Sequence, residues 1–68
     1  MNRFKRLRIL ASMTAEEAAK RIGVSKSNVL HWEAGRTSPR VSRLKTIANV
    51  YGCSVADLID DEQKETPL

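Results

Sequence analysis

The chain has one cysteine, Cys53, one histidine, His31, and no apolar run near the roughly 20 residues that a membrane-spanning helix needs. A lone cysteine makes no intramolecular disulfide. Together with the lack of a signal-peptide pattern, this leads to the expectation of a reducing, cytoplasmic setting away from the membrane. His31 has no cysteine or carboxylate partner at metal-ligand spacing, so neither a metal nor another cofactor is expected. No paired carboxylates, nucleophile–base set or phosphate loop is visible, which argues against an enzyme. Internal repeats and low-complexity tracts are also lacking. With 68 residues there is room for one domain around a small core.

Charge is present but uneven. Residues 1–45 hold eleven Lys/Arg against three Asp/Glu, a net of +8, whereas residues 46–68 hold one against five, a net of −4. A basic half of this kind attracts a polyanion, although the same composition also describes a plain solvated surface. Local structure has to decide between the two.

The stretch Thr14–Gly35 supplies that structure. Thr14 followed three residues later by Glu17 is a capping-box pattern, in which the threonine oxygen accepts from the Glu17 N–H and the Glu17 carboxylate accepts from the Thr14 N–H. Ala18, Ala19 and Ile22 then form a narrow apolar stripe of mostly small side chains, suited to close approach by a second helix. Gly23 ends this helix. Ser25 caps the next, which runs without glycine or proline to Gly35. Two helices joined through so short a turn must cross steeply, which is helix-turn-helix geometry.

At about 100° per residue, with Lys26 at zero, Leu30, Ser27 and His31 fall near 40°, 100° and 140°, while Val29 and Trp32 fall near 300° and 240°. One face packs and the other projects. Lysine can donate to guanine O6 and N7, serine suits several base edges, and histidine can donate or accept; Leu30 either meets a thymine methyl or covers part of the turn. Asn28, near 200°, sits on the flank, better placed for a phosphate. Trp32 is expected in the core. After Gly35, the loop Arg36-Thr37-Ser38-Pro39-Arg40 offers two arginines and two hydroxyls suited to a sugar-phosphate backbone.

The run T-x-E-E-x-A-x-x-x-G-V-S-x-S-x-V-x-x-W-E-x-G, with Pro39, then Ile47-Ala48 and Gly52-Cys53-Ser54-Val55-x-Asp57-Leu58, resembles the Cro/C1-type, or XRE-type, helix-turn-helix family of phage and bacterial repressors. The resemblance covers about residues 3–59. It implies an all-α, five-helix, lambda-repressor-like fold, with Lys26, Ser27 and His31 at base-reading positions and a buried pair between Arg8 and Glu33. Two departures stand out. The family often has a phosphate-contacting glutamine where Ala15 stands, and often a glycine where Ser12 stands.

In chain order, Asn2–Ala11 reads as a first helix with Phe4, Leu7 and either Leu10 or Ala11 buried, and Met13 continues the core. Arg3, Lys5 and Arg6 read as its solvated side. Val41–Tyr51 reads as a fourth helix whose buried stripe is Val41, Leu44, Ile47, Ala48 and Tyr51. Ser54 caps a short fifth helix, and Cys53 is expected as a buried thiol. Val55, Leu58 and Ile59 offer more apolar surface than so small a core can cover, which makes them candidate dimer contacts. The expected domain spans residues 1–60 and a disordered polar tail spans 61–68.

The resulting expectation is a domain that binds double-stranded DNA through the major groove as a homodimer on a palindrome. Lys26, Ser27, His31 and Leu30 face the bases, and Thr14, Ser25, Asn28, Arg36, Thr37 and Arg40 hold the backbone. An antitoxin or controller-type module of the same fold, binding a protein partner, is the alternative, and the Ala15 departure keeps it open.

Overall fold

The computed structural model describes residues 2–59, and the expected 61–68 tail lies outside them. Five helices follow in order: α1 Arg3–Leu10, α2 Ala15–Ile22, α3 Lys26–Ala34, α4 Val41–Tyr51 and α5 Val55–Leu58. No strand occurs among the described residues, so the fold is the expected all-α one.

Side-chain caps set the helix starts. Asn2 Oδ1 accepts from the Lys5 N–H ahead of α1, and Ser25 Oγ accepts from the Asn28 N–H ahead of α3. Ahead of α2, Thr14 and Glu17 exchange the two bonds of a capping box at 2.9 and 3.1 Å, and Ser54 and Asp57 do the same ahead of α5. Only α4 starts without a side-chain cap, from Arg40.

The helix ends share one device. Each of α1 to α4 closes with the N–H of the residue just after a left-handed one bonding back to an earlier carbonyl of the helix. In α2, α3 and α4 that residue is a glycine. In α1 it is Ser12, at φ 61°, with its N–H on the Ile9 carbonyl and the Met13 N–H on the Arg8 carbonyl. Asn2 and Ala11 therefore flank α1 as caps rather than belonging to it.

The core gathers Ala18, Ala19 and Ile22 of α2, Val29 and Trp32 of α3, Ile47, Ala48 and Tyr51 of α4, Leu58 of α5, and Met13 and Ala15 at the α1–α2 junction. Val29 and Ile47 are the largest side chains wholly enclosed. The small residues of α2 let α3 and α4 pack closely against it. Phe4, Leu7 and Ala11 lay α1 over this centre, with the Phe4 and Trp32 rings 6.3 Å apart and inclined at 46°.

One open alternative about burial is settled here and two expectations are corrected. Ala11, not Leu10, completes the α1 stripe, because Leu10 lies about 100° from it around the helix and is 72% exposed. Val41 leaves the α4 stripe: it stands at the first residue of the helix, on the stripe's edge, and is 76% exposed. Cys53 is half-buried rather than enclosed. Burial still pushes its thiol pKa up, with Asp57 adding to the effect.

Candidate nucleic-acid interface

The placement of α3 follows from what grips its inner side. Val29 and Trp32 sink into the core, and Arg8 of α1 reaches across to Glu33 in a two-pronged pair, Nε donating to Oε2 at 2.6 Å and Nη2 to Oε1 at 3.0 Å. The side chains of this pair are 11% and 5% exposed. Arg8 Nη1 also donates to the Met13 carbonyl at 2.9 Å, so one guanidinium joins α1, the α1–α2 turn and α3. A second strap was not foreseen: Asn2 Nδ2 donates to the Trp32 carbonyl at 2.7 Å. Asn2 thus caps its own helix and ties down the last turn of α3. An asparagine at a helix start signals a cap, but nothing in the sequence discloses its partner 30 residues away.

On the outer side, Lys26, Ser27 and Leu30 are exposed and His31 is half-buried. The four lie together on the face turned from the core. The two hydroxyls at the helix starts, Thr14 and Ser25, are exposed and each accepts a backbone N–H. Accepting uses a lone pair and leaves the O–H free to donate to a phosphate oxygen, so capping and backbone contact are compatible in one side chain. The Thr14 backbone N–H, bonded to the Glu17 carboxylate, holds that carboxyl below its ordinary pKa. Ala15, the first residue of α2, is buried, so at this position the chain contributes to the core instead of reaching outward.

Beside α3 lies an open cleft of about 470 Å³ between that helix, the loop that follows it and the first turn of α4. Asn28, Thr37 and Arg40 line it, so three of the six backbone-holding candidates converge on one place. Thr14, Ser25 and Arg36 do not line this cleft. Ser38, the second hydroxyl of that loop, lines it too, as does Arg43, which the sequence reading did not include. A signal existed for Arg43: three residues after Arg40, at the start of a helix, it falls on the same side. Val24 and Trp32 complete the wall from the turn and the core.

Leu58 is corrected as a dimer contact. It is 3% exposed and belongs to the core, since a four-residue helix must bury its one inward leucine to be held at all. Ile59 remains partly exposed and lines a smaller groove of about 230 Å³ with Phe4, Pro39, Val41 and Leu44. Val55 is half-buried.

The described helices, their crossing at Gly23-Val24-Ser25 and the outward face of α3 coincide with a family profile described as helix-turn-helix, which matches residues 4–58. The chain belongs to the XRE-type helix-turn-helix family. Its relatives include a cryptic phage CTXphi transcriptional repressor, RstR, of Vibrio cholerae, 32% identical over 91% of this chain and 56% of its own length. An HTH-type transcriptional regulator of Archaeoglobus fulgidus is 32% identical over 93% of this chain and 89% of its own. Another, MJ0272 of Methanocaldococcus jannaschii, is 31% identical over 94% and 97%. The helix-turn-helix chain thus spans little more than half of the phage repressor but nearly all of the archaeal regulators. No solved structure matches it. It is a transcriptional regulator with a helix-turn-helix DNA-binding domain. No helix among the described residues is long and apolar enough to cross a membrane.

Proposed function

We propose that this regulator binds a palindromic operator as a homodimer, inserts α3 into the major groove and represses transcription by covering a promoter. The observation that carries this reading is the face of α3. Lys26, Ser27, Leu30 and His31 form a polar, donor-rich strip with one apolar side chain, and the Asn28–Arg40 cleft lies alongside it. One such strip spans only a half-site, so useful specificity calls for two copies about one helical turn apart. Val41, Ile59 and Val55 offer the apolar surface for that pairing. In this reading Lys26, Ser27 and His31 read bases, Leu30 meets a thymine methyl, and Thr14, Ser25, Asn28, Arg36, Thr37 and Arg40 hold the backbone. The setting is cytoplasmic.

Selection from a pool of random duplexes at near-physiological salt tests it, because specific sites outlast non-specific ones by at least about 10³-fold. A palindromic motif with two half-sites is the expected result. Enrichment of no motif would remove the base-reading roles.

The second reading, a module for a protein partner, is favoured by one observation: Ile9 and Leu10, adjacent on α1, are both large, apolar and exposed. It predicts no measurable duplex binding even at low salt.

A further inference from the structure

Of the four large apolar side chains exposed among the described residues, Leu30 belongs to the outward face of α3 and Val41 lines the Phe4–Ile59 groove. The other two, Ile9 and Leu10, are on α1, at 49% and 72% exposure. At about 100° per residue, with Phe4 on the packed side at zero, Lys5, Ile9, Arg6 and Leu10 fall near 100°, 140°, 200° and 240°. These four make up the side of α1 turned from the core, and all four are exposed. Cations and apolar groups therefore alternate across one continuous face.

The charge on that face does not hold the helix. The positive end of a helix dipole lies at the N-terminus, where acidic side chains stabilise and basic ones oppose it. The first turn of α1 has no acid, and it holds Lys5, with Arg6 directly after. Neither cation forms an ion pair among the described residues. Ile9 and Leu10, left in water, contribute little to folding either. Two local rules are thus broken on one face, a pattern expected where a surface serves a function.

We propose that the outer face of α1 docks a helix of another protein that presents apolar side chains flanked by carboxylates. Ile9 and Leu10 supply the apolar contact, while Lys5 and Arg6 pair with the carboxylates and fix the partner's register. Charge selects against a second copy of this chain seated face to face on α1. Four Lys/Arg and no carboxylate precede Glu16, so two such faces repel. The inference rests on the protein-partner reading, whose surface it shares, and adds the partner's chemistry. None of its four residues is a DNA candidate, so it is judged separately from duplex binding.

The probes are three synthetic helical peptides that share one stripe of leucines and carry glutamate, glutamine or lysine beside it. Each is dye-labelled, and its anisotropy is followed as the whole chain is added. The glutamate peptide is expected to bind saturably and more weakly as salt rises, ahead of the glutamine peptide, with no binding of the lysine one. Leu10→Ser should lower its affinity about tenfold. The double variant Lys5→Glu, Arg6→Glu should reverse the order, so that the lysine peptide binds better than the glutamate one. Each variant is first shown to melt like the parent. If the glutamine peptide binds as tightly as the glutamate one and still responds to Leu10→Ser, the acidic chemistry is wrong although the protein-partner reading stands. If no peptide binds, or binding ignores the α1 variants, docking on α1 is overturned. Vesicles of phosphatidylglycerol that bind where no peptide does also overturn it, assigning the face to a lipid surface. Duplex binding at low salt, measured in parallel, ends the protein-partner reading's expectation of no DNA contact and leaves the docking to the peptides.

Discussion

Ser12 and Tyr51 each carry a local cost in the folded chain. Ser12 holds φ 61°, a region in which a side chain costs roughly 1–2 kcal/mol. Ser12→Gly removes the clash and should raise stability by about 1 kcal/mol, read as a higher denaturant midpoint at unchanged slope. Tyr51 is buried with its hydroxyl unpartnered among the described residues. Burial, with the Glu33 charge adding to it, pushes the phenol up to about 12 from 10.0. The folded protein therefore keeps this proton at a pH where the unfolded chain has lost it. The stabilisation is complete below pH 10.0 and is lost as pH rises toward about 12. Tyr51→Phe should flatten that alkaline decline relative to the parent and leave stability near neutral pH equal or higher, because no hydrogen bond is given up. A series of thermal melts between neutral and alkaline pH checks both points.

Among the elements, α3 is the one whose two sides carry different tasks. Its inner residues are gripped by the core, by Arg8 and by Asn2, while its outer residues touch no other helix strongly enough to be buried. Substitutions on the two sides should therefore fail differently. Lys26→Ala should leave the melt unchanged, cost about 1–3 kcal/mol on the preferred operator and relax the preference at one base pair. Arg36→Gln, in the loop after α3, should weaken all duplexes alike and flatten the salt slope by about one unit. Binding measured on an operator and on a scrambled duplex, at several salt concentrations, separates the two. A Lys26→Ala variant that weakens both duplexes equally would move Lys26 to the backbone set.

For the whole molecule, stability and interface are joined through the Arg8–Glu33 pair. Removing one partner of a buried pair costs about 3–5 kcal/mol, comparable with the entire stability of a domain this small. Glu33→Ala should therefore unfold the chain, seen as loss of the cooperative melt, before any effect on DNA can be read. The predicted homodimer belongs to this scale as well. Val41 is exposed beside the Phe4–Ile59 groove, so Val41→Lys should keep the monomer fold and lower dimer occupancy of a palindrome. Sedimentation with and without duplex measures this, and an unaltered dimer would place the contact elsewhere.

The sequence alone determined the element order, the helix starts and most of the core, because caps, glycine breaks and helical spacing act within a few residues of each other. Thr14 with Glu17, Ser25 and the stripe Leu44, Ile47, Ala48, Tyr51 were all legible on that account. The resemblance to a family also pointed to Arg8 and Glu33, which local patterns do not connect. Only the tertiary structure decided matters that depend on which helix lies opposite. It exposed Leu10 and Val41, enclosed Leu58, fastened Asn2 to the Trp32 carbonyl and brought Arg43 to the side of Asn28. Periodicity tells which face of a helix is apolar, but burial at the face's edge depends on where neighbouring helices stop. That is a property of the packed whole.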